Sequence, residues 1–398
     1  MITNFNDTAG WLWLVMVMGI ANRRTIELAR KFPSIRELYY AMQDPDNGFL
    51  KEKEYQKVKE VSLNTANQIV ASCAEKGMGI LTWESADYPK YLRNICDPPV
   101  VLFYKGSPEI LLRKDILTVV GTRQPTNYSV RVGEWICYEL AMQDILIASG
   151  GAIGMDSVAH CAAIRAGKPT IAVMGCGLDC DYPKGNRELR EKILQTGVLI
   201  TEYFPGTPAY GRNFPIRNRI LAGISKGTLV LEAAEKSGAM ITANNACEQN
   251  RTVFCIPPAD IFENRYSGQA ALLRDGATPV FGLEDVLPVQ GYQVYSIPEN
   301  SPEDTQKVAK SELIPTELEK FSDCPEDSSS VNWMPQDATP EQQKILELLR
   351  EGNKNINLLC QLTGLRFDTI STNLLEMELL GWIVNRSMDD YHLAENLT

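Results

Sequence analysis

Between Ile116 and Phe281 the chain alternates short apolar runs with segments of helical spacing, and no other feature limits its fold as strongly. The first run, Ile116 to Val120, sets five apolar or β-branched residues in a row. A run without polar alternation suits a strand covered on both faces, as in a parallel sheet. Further strands are expected at Ile145–Ser149, Thr170–Met174, Val198–Thr201, Thr228–Glu232 and Thr252–Ile256. Helices fit between them at Ser129–Met142, Asp156–Ala166, Arg187–Gln195, Ile216–Ser225 and Ala239–Asn250. A last pair, Gly268–Arg274 and Thr278–Phe281, closes the edge. Such alternation implies right-handed crossovers and helices on both faces. The expected fold class is therefore α/β, a Rossmann-like, doubly wound, mostly parallel sheet over residues 80–290.

At 398 residues the chain exceeds one ordinary core. Residues 1–79 read as helical, with Ile26 and Ala29, then Leu28 and Phe32, at helical spacing before a break at Pro33-Ser34. A short helix, a turn and a second helix describe a module like a sterile alpha motif (SAM) or helix-hairpin-helix. Its hairpin lacks the paired glycines that would aim amides at a phosphate. Trp11 to Ile20 is apolar over only ten residues, half of a membrane span, so a core helix and no membrane partner are expected. Ile80 to Arg113 joins this region to the sheet, with an edge strand expected at Val100 to Tyr104, after Pro98-Pro99. Residues 291–338, rich in Pro, Ser, Asp and Glu, read as an acidic flexible linker. Residues 339–398 carry helical patterns opened by Thr339-Pro340 and stopped at Gly381, then Trp382-Ile383-Val384 and Tyr391-His392-Leu393. Three helices and a two-stranded wing describe a winged helix. Glu376 and Glu378 on its recognition helix leave protein contact and DNA contact equally open.

The formal charge of −11 argues at first against a nucleic-acid partner. From Gly291 to Ala338, however, ten acidic residues stand against three Lys, a net of −7, which leaves −4 for the rest. Ten cysteines without a CxxC pair read as reduced cytoplasmic thiols, and two histidines, His160 and His392, give no zinc spacing.

Glycines follow the expected strands: Gly121, Gly150-Gly151 with Gly154, Gly175 with Gly177, and Ser237-Gly238. Turns of this kind at one sheet border make an anion-binding rim of open amides. Neither GxGxxG spacing nor a Walker lysine occurs, so no nucleotide cofactor is expected. Cations fall around the same rim: Arg123, Lys184, and Arg217 with Arg219 in Phe214-Pro215-Ile216-Arg217-Asn218-Arg219. With Phe214 and Tyr182 available to stack on bases, the set suits single-stranded nucleic acid better than a mononucleotide. Asp156 and His160, four apart, share a helix face, where a buried hydrogen-bond role outweighs acid–base catalysis. No metal or nucleophile-elbow constellation is present in the sequence.

In order, the chain contains Val120-Gly121-Thr122-Arg123, Ala148-Ser149-Gly150-Gly151-Ala152 and Gly154-Met155-Asp156-Ser157-Val158-Ala159-His160. Gly175-Cys176-Gly177-Leu178-Asp179, Tyr182-Pro183-Lys184-Gly185-Asn186 and Phe214-Pro215-Ile216-Arg217-Asn218-Arg219-Ile220 follow, then Glu232-Ala233 and Ser237-Gly238-Ala239-Met240-Ile241-Thr242-Ala243. These stretches resemble the DNA-processing protein A family (DprA, also called Smf). The resemblance implies a cytoplasmic bacterial protein that binds single-stranded DNA, helps load the RecA recombinase in natural transformation, and has no catalytic turnover. It also implies a homodimer formed through the Rossmann-like domain, and a DNA pocket lined by Arg123 and Lys184. The full expected binding set is Gly121, Thr122, Arg123, Ser149, Gly150, Gly151, Lys184, Asn186, Phe214, Arg217, Asn218, Arg219, Ser237 and Gly238. The chain departs from the family pattern at Ile153, often Arg; at Pro257-Pro258, commonly Pro-Gly; and at Gly268-Gln269-Ala270. Two other readings compete: a Rossmann-like nucleotide hydrolase of the lysine-decarboxylase-like type, and a scaffold acting through the winged helix.

Overall fold

The structure is a computed structural model that describes residues 5–44, 48–287, 338–350, 354–365, 367–379, 382–387 and 390–393. Of the expected linker, 291–338, residues 291–337 lie outside the described residues, as do Arg366 and Gly381. The chain divides into two compact units, Met1–Pro298 and Glu299–Thr398.

The first unit opens with five helices, α1 (Asp7–Met18), α2 (Arg23–Ala29), α3 (Ile35–Gln43), α4 (Glu52–Glu60) and α5 (Leu63–Glu75). The region is helical as expected, with two helices, α4 and α5, beyond the expected core helix and helix–turn–helix pair. Polar caps set the starts: Asn6 accepts from the Ala9 amide, Ser34 from Glu37 and Ser62 from Thr65. α1 is apolar all round, and Trp11, Leu12, Trp13 and Leu14 are fully enclosed, as a helix with no polar face must be.

A nine-stranded sheet follows. Its strands are β1 (Gly79–Thr82), β2 (Val101–Gly106), β3 (Ile116–Val120), β4 (Leu146–Ser149), β5 (Thr170–Val173), β6 (Val198–Thr201), β7 (Gly227–Val230), β8 (Thr252–Cys255) and β9 (Thr278–Pro279). Between them run α6 (Asn127–Met142), α7 (Met155–Arg165), α8 (Arg187–Thr196), α9 (Asn213–Gly223), α10 (Gly238–Glu248) and α11 (Ser267–Arg274). The spatial order is β1-β2-β6-β5-β4-β3-β7-β8-β9. Seven strands, β6 through β9 in that order, are mutually parallel, and β2 is antiparallel to both β1 and β6. All five residues of β3 are buried, which is the environment its unbroken apolar run requires.

Three local departures matter. β1 lies in the stretch expected to be only a connector. α9 begins at Asn213, before the expected Ile216, so Phe214 and Pro215 sit in its first turn, where proline is tolerated. β9 ends at Pro279, and Phe281 beyond it is exposed. The helical front is not a separate core: Val101 and Phe103 of β2 are buried in one cluster with Trp11, Leu14, Leu38 and Met42. No helix among the described residues is long and apolar enough to cross a membrane.

In the second unit, α12 (Pro340–Arg350), α13 (Ile356–Thr363) and α14 (Phe367–Leu379) enclose Ile345, Leu346, Leu359, Ile370 and Met377. Strands β10 (Lys354–Asn355), β11 (Ile383–Ser387) and β12 (Asp390–Leu393) pair antiparallel in the order β10-β12-β11. The expected wing is β11 with β12, and β10 is an addition.

Candidate functional site

Strand order reverses at β3: β4, β5 and β6 are laid down on one side of it, β7, β8 and β9 on the other. Ligands of open α/β sheets bind outside the carboxyl ends at such a reversal. Gly121-Thr122-Arg123 leaves β3 there. The Thr122 amide donates to the Glu232 carbonyl at 2.8 Å, and the Thr122 carbonyl accepts from the Met155 amide at 3.0 Å. The turn is thus tied to the chain beyond β7 and to the start of α7. The crossing is too close for a side chain: at Gly154, with φ of 92°, a Cβ would lie 2.5 Å from the Thr122 carbonyl and 2.6 Å from Arg123 Cα. Arg123 emerges exposed, with no ion-pair partner among the described residues.

Phe214 faces this arginine. The Arg123 guanidinium lies 5.7 Å from the centre of its ring, and the Tyr182 ring packs at 5.4 Å, tilted by 46°. The ring sits on Gly175, where a Cβ would come within 2.8 Å of it. Lys184 is exposed and likewise free of an ion pair among the described residues. Its turn is held by Asn186, whose Nδ2 donates to the Gly151 carbonyl at 3.1 Å and to Ser157 Oγ at 2.9 Å. Exposed Ile153 closes the gap, its Cδ1 being 3.8 Å from where a Gly185 Cβ would stand.

The remaining expected residues build the border from within. Arg217 is buried, 5.9 Å from the Phe214 ring, and donates through Nη1 to the Gly150 carbonyl at 2.8 Å and to the Val173 carbonyl. A Cβ on Gly150 would strike both Asp156 Oδ2 and this guanidinium. Burial pushes the Asp156 carboxyl up from its ordinary value, and the Arg217 charge opposes that. Arg219 does not face the rim. It is buried, with Nη1 and Nη2 on the Glu202 carboxylate at 2.9 and 2.7 Å and Nε on Asp97 at 2.9 Å. Asn218 donates to the Gly238 carbonyl at 3.1 Å, which ties α9 to the start of α10, where Ser237 Oγ accepts from the Met240 amide. Ser149 is buried and donates to the Val119 carbonyl at 2.7 Å.

The family model for DNA recombination-mediator protein A matches residues 79–290, more than half of the chain. The chain belongs to that family. A DprA winged helix domain matches residues 334–387. Among relatives of this mediator family, Protein Smf of Synechocystis is 33% identical over 324 residues, covering 79% of this chain and 80% of that one. DNA processing protein DprA of Bacillus subtilis is 36% identical over 220 residues, covering 55% of this chain and 74% of that one. The crystal structure of DprA from Streptococcus pneumoniae aligns with a TM-score of 0.62 and 28% identity, over 73% of this chain and all of that one.

Glu232 and His160 are both engaged within the fold. Glu232 is buried and accepts from the Thr126 amide at 3.0 Å and the Thr126 hydroxyl at 3.1 Å, at the start of α6. His160 is buried with Nδ1 2.8 Å from Thr170 Oγ1, which itself donates to the Ile147 carbonyl, so Nδ1 carries the proton. Burial, then the Arg217 charge, pushes the His160 pKa down to about 3. The roles of Glu232 and Gly154 escaped the sequence, because their partners are far along the chain.

Two measurements follow from this framework. Arg219→Ala leaves Glu202 buried without its partner and is expected to cost about 3–5 kcal/mol, read as a fall in the urea midpoint. His160 binds its proton less readily when folded than when unfolded, so its stabilising effect is complete above pH ~6.5 and declines as pH falls toward the folded value, by about 1.4 kcal/mol per unit. Urea unfolding at pH 7, 6 and 5 is expected to show that slope in the native chain and a shallower one in His160→Gln.

Proposed function

We propose that this chain is a single-stranded DNA-binding recombination mediator. One observation carries the reading: exposed Arg123, without an ion pair among the described residues, lies over the Phe214 ring that packs on Tyr182, and exposed Lys184, likewise unpaired, stands two residues beyond Tyr182 in a turn tied to Gly151 at the carboxyl end of β4. Free cations neutralise phosphates, and aromatic faces accept unpaired bases of any sequence. The buried arginines take no direct part: Arg217 holds the Gly150 and Val173 carbonyls at the border, and Arg219 is paired with Glu202 and Asp97 away from it. The proposal includes loading of the RecA recombinase on incoming DNA in natural transformation, a cytoplasmic location, and no catalytic turnover. Support for the last point is that Glu232 and His160 are engaged inside the fold.

Arg123→Ala and Lys184→Ala are each expected to weaken oligo-dT binding roughly 10- to 100-fold, the loss of a charge-assisted phosphate contact, without changing the urea midpoint. Each is also expected to reduce the slope of log affinity against log salt by ~0.7. Unchanged affinity in a mobility-shift titration overturns the site.

A homodimer through the Rossmann-like sheet belongs to the same proposal. Ile261 and Phe262 beyond β8 and Phe281 beyond β9 are 74%, 92% and 72% exposed, an apolar set at the ends of neighbouring strands. A second copy covering them would remove that surface from water. Phe262→Glu is expected to give monomers in light scattering at concentrations where the native chain is dimeric.

A further inference from the structure

The border that carries Arg123 and Lys184 continues past β5. β1 is antiparallel to β2, and β2 to β6, so β1 runs in the same sense as the parallel strands. Its carboxyl end therefore opens on the same border. Trp83 follows it directly, and its amide donates to the Val100 carbonyl at 2.8 Å. Two guanidiniums lie against the half-buried indole, Arg93 at 4.9 Å and Arg30 at 5.5 Å from the ring centre. Arg30 caps the C-terminus of α2 and is exposed. Arg93 also lies 5.0 Å from the Tyr88 ring and donates to the Ser85 carbonyl at 3.1 Å. Among the described residues neither guanidinium is in an ion pair. Adjacent Glu84 is engaged by Trp11, whose Nε1 donates to it at 3.1 Å. Stacking on an indole uses the flat face of a guanidinium and leaves its N–H edge open to an oxyanion.

We propose that Arg30, Trp83 and Arg93 form a second phosphate-binding station for the backbone of the same single strand. The inference rests on the strand-binding reading of Arg123 and Lys184. Sheet order sets the spacing: from β3 to β1 is five interstrand steps. At ~4.8 Å per step that is about 24 Å, and about seven nucleotides at a stacked spacing of ~3.4 Å. A strand shorter than this reaches one station only, and a longer one spans both. Linking the stations makes the second contact intramolecular, so it adds affinity only for long strands.

The test is fluorescence anisotropy on the full chain with oligo-dT of about five and about twenty nucleotides, lengths that bracket one station and both. Arg30→Glu is the main variant, because the side chain is exposed and its loss leaves the Arg93–Ser85 bond in place. It is expected to leave short-strand affinity unchanged and to weaken long-strand affinity roughly 5- to 20-fold. Arg93→Ala is expected to repeat the pattern, and Arg123→Ala to weaken both lengths. Long-strand affinity unchanged in Arg30→Glu, with Arg123→Ala still weak, removes the second station and leaves the first. Equal losses on both lengths in Arg30→Glu also overturn it, since the residue then acts through the first site. No effect of Arg123→Ala on either length sinks the strand-binding reading, and the second station with it.

Discussion

The buried guanidinium of Arg217 is the constraint around which the border is arranged. Enclosing a charge is costly unless its donors are met. Here Nη1 is met by the carbonyls of Gly150 and Val173 at the ends of β4 and β5, and the Asp156 carboxyl offsets the charge, while Nε has no hydrogen-bond partner among the described residues. One side chain from α9 therefore clamps two neighbouring strands where they open to solvent. It also sits under Phe214, so the helix that supplies the clamp supplies the ring. Gly150 and Gly175 are glycine for the same reason: a Cβ at either would enter the space held by the guanidinium or the ring.

Much of this was legible in the residues. Unalternated apolar runs gave the parallel strands, because a strand covered on both faces has no reason to alternate. Glycines after those runs gave the turns, and an arginine beyond β3 gave the exposed cation. The Phe214–Ile220 run was harder to read. Arg217 and Arg219 are two apart on a helix, hence about 200° apart around its axis, and cannot both face one ligand. Arg219 went to Glu202 and Asp97, the latter 122 positions away in sequence, and Arg217 to the carbonyls of Gly150 and Val173. β1 escaped notice because its four residues open on Gly79 and include only two large apolar side chains, Ile80 and Leu81. The front read as helical throughout, but apart from Pro33-Ser34 the breaks that divide it into five helices were not legible.

Net charge proved a poor guide, because the free cations and the excess of carboxylates occupy different places. Arg219, Arg113 and Lys226 are matched by acidic partners within the fold. Arg123 and Lys184 are not matched among the described residues, and what an approaching polyanion meets first is the local field.

The shared core of helices and sheet has a consequence for where the molecule can be cut. The match to the mediator family model begins at residue 79, at the first residue of β1. Physically there is no seam at that point. Val101 and Phe103 face the helices, and Phe103 is 1% exposed. A fragment that starts at the family boundary would bare this greasy flank along an outer pair of strands, inviting self-association. The stretch that the family model matches and the unit that folds have different bounds in this protein.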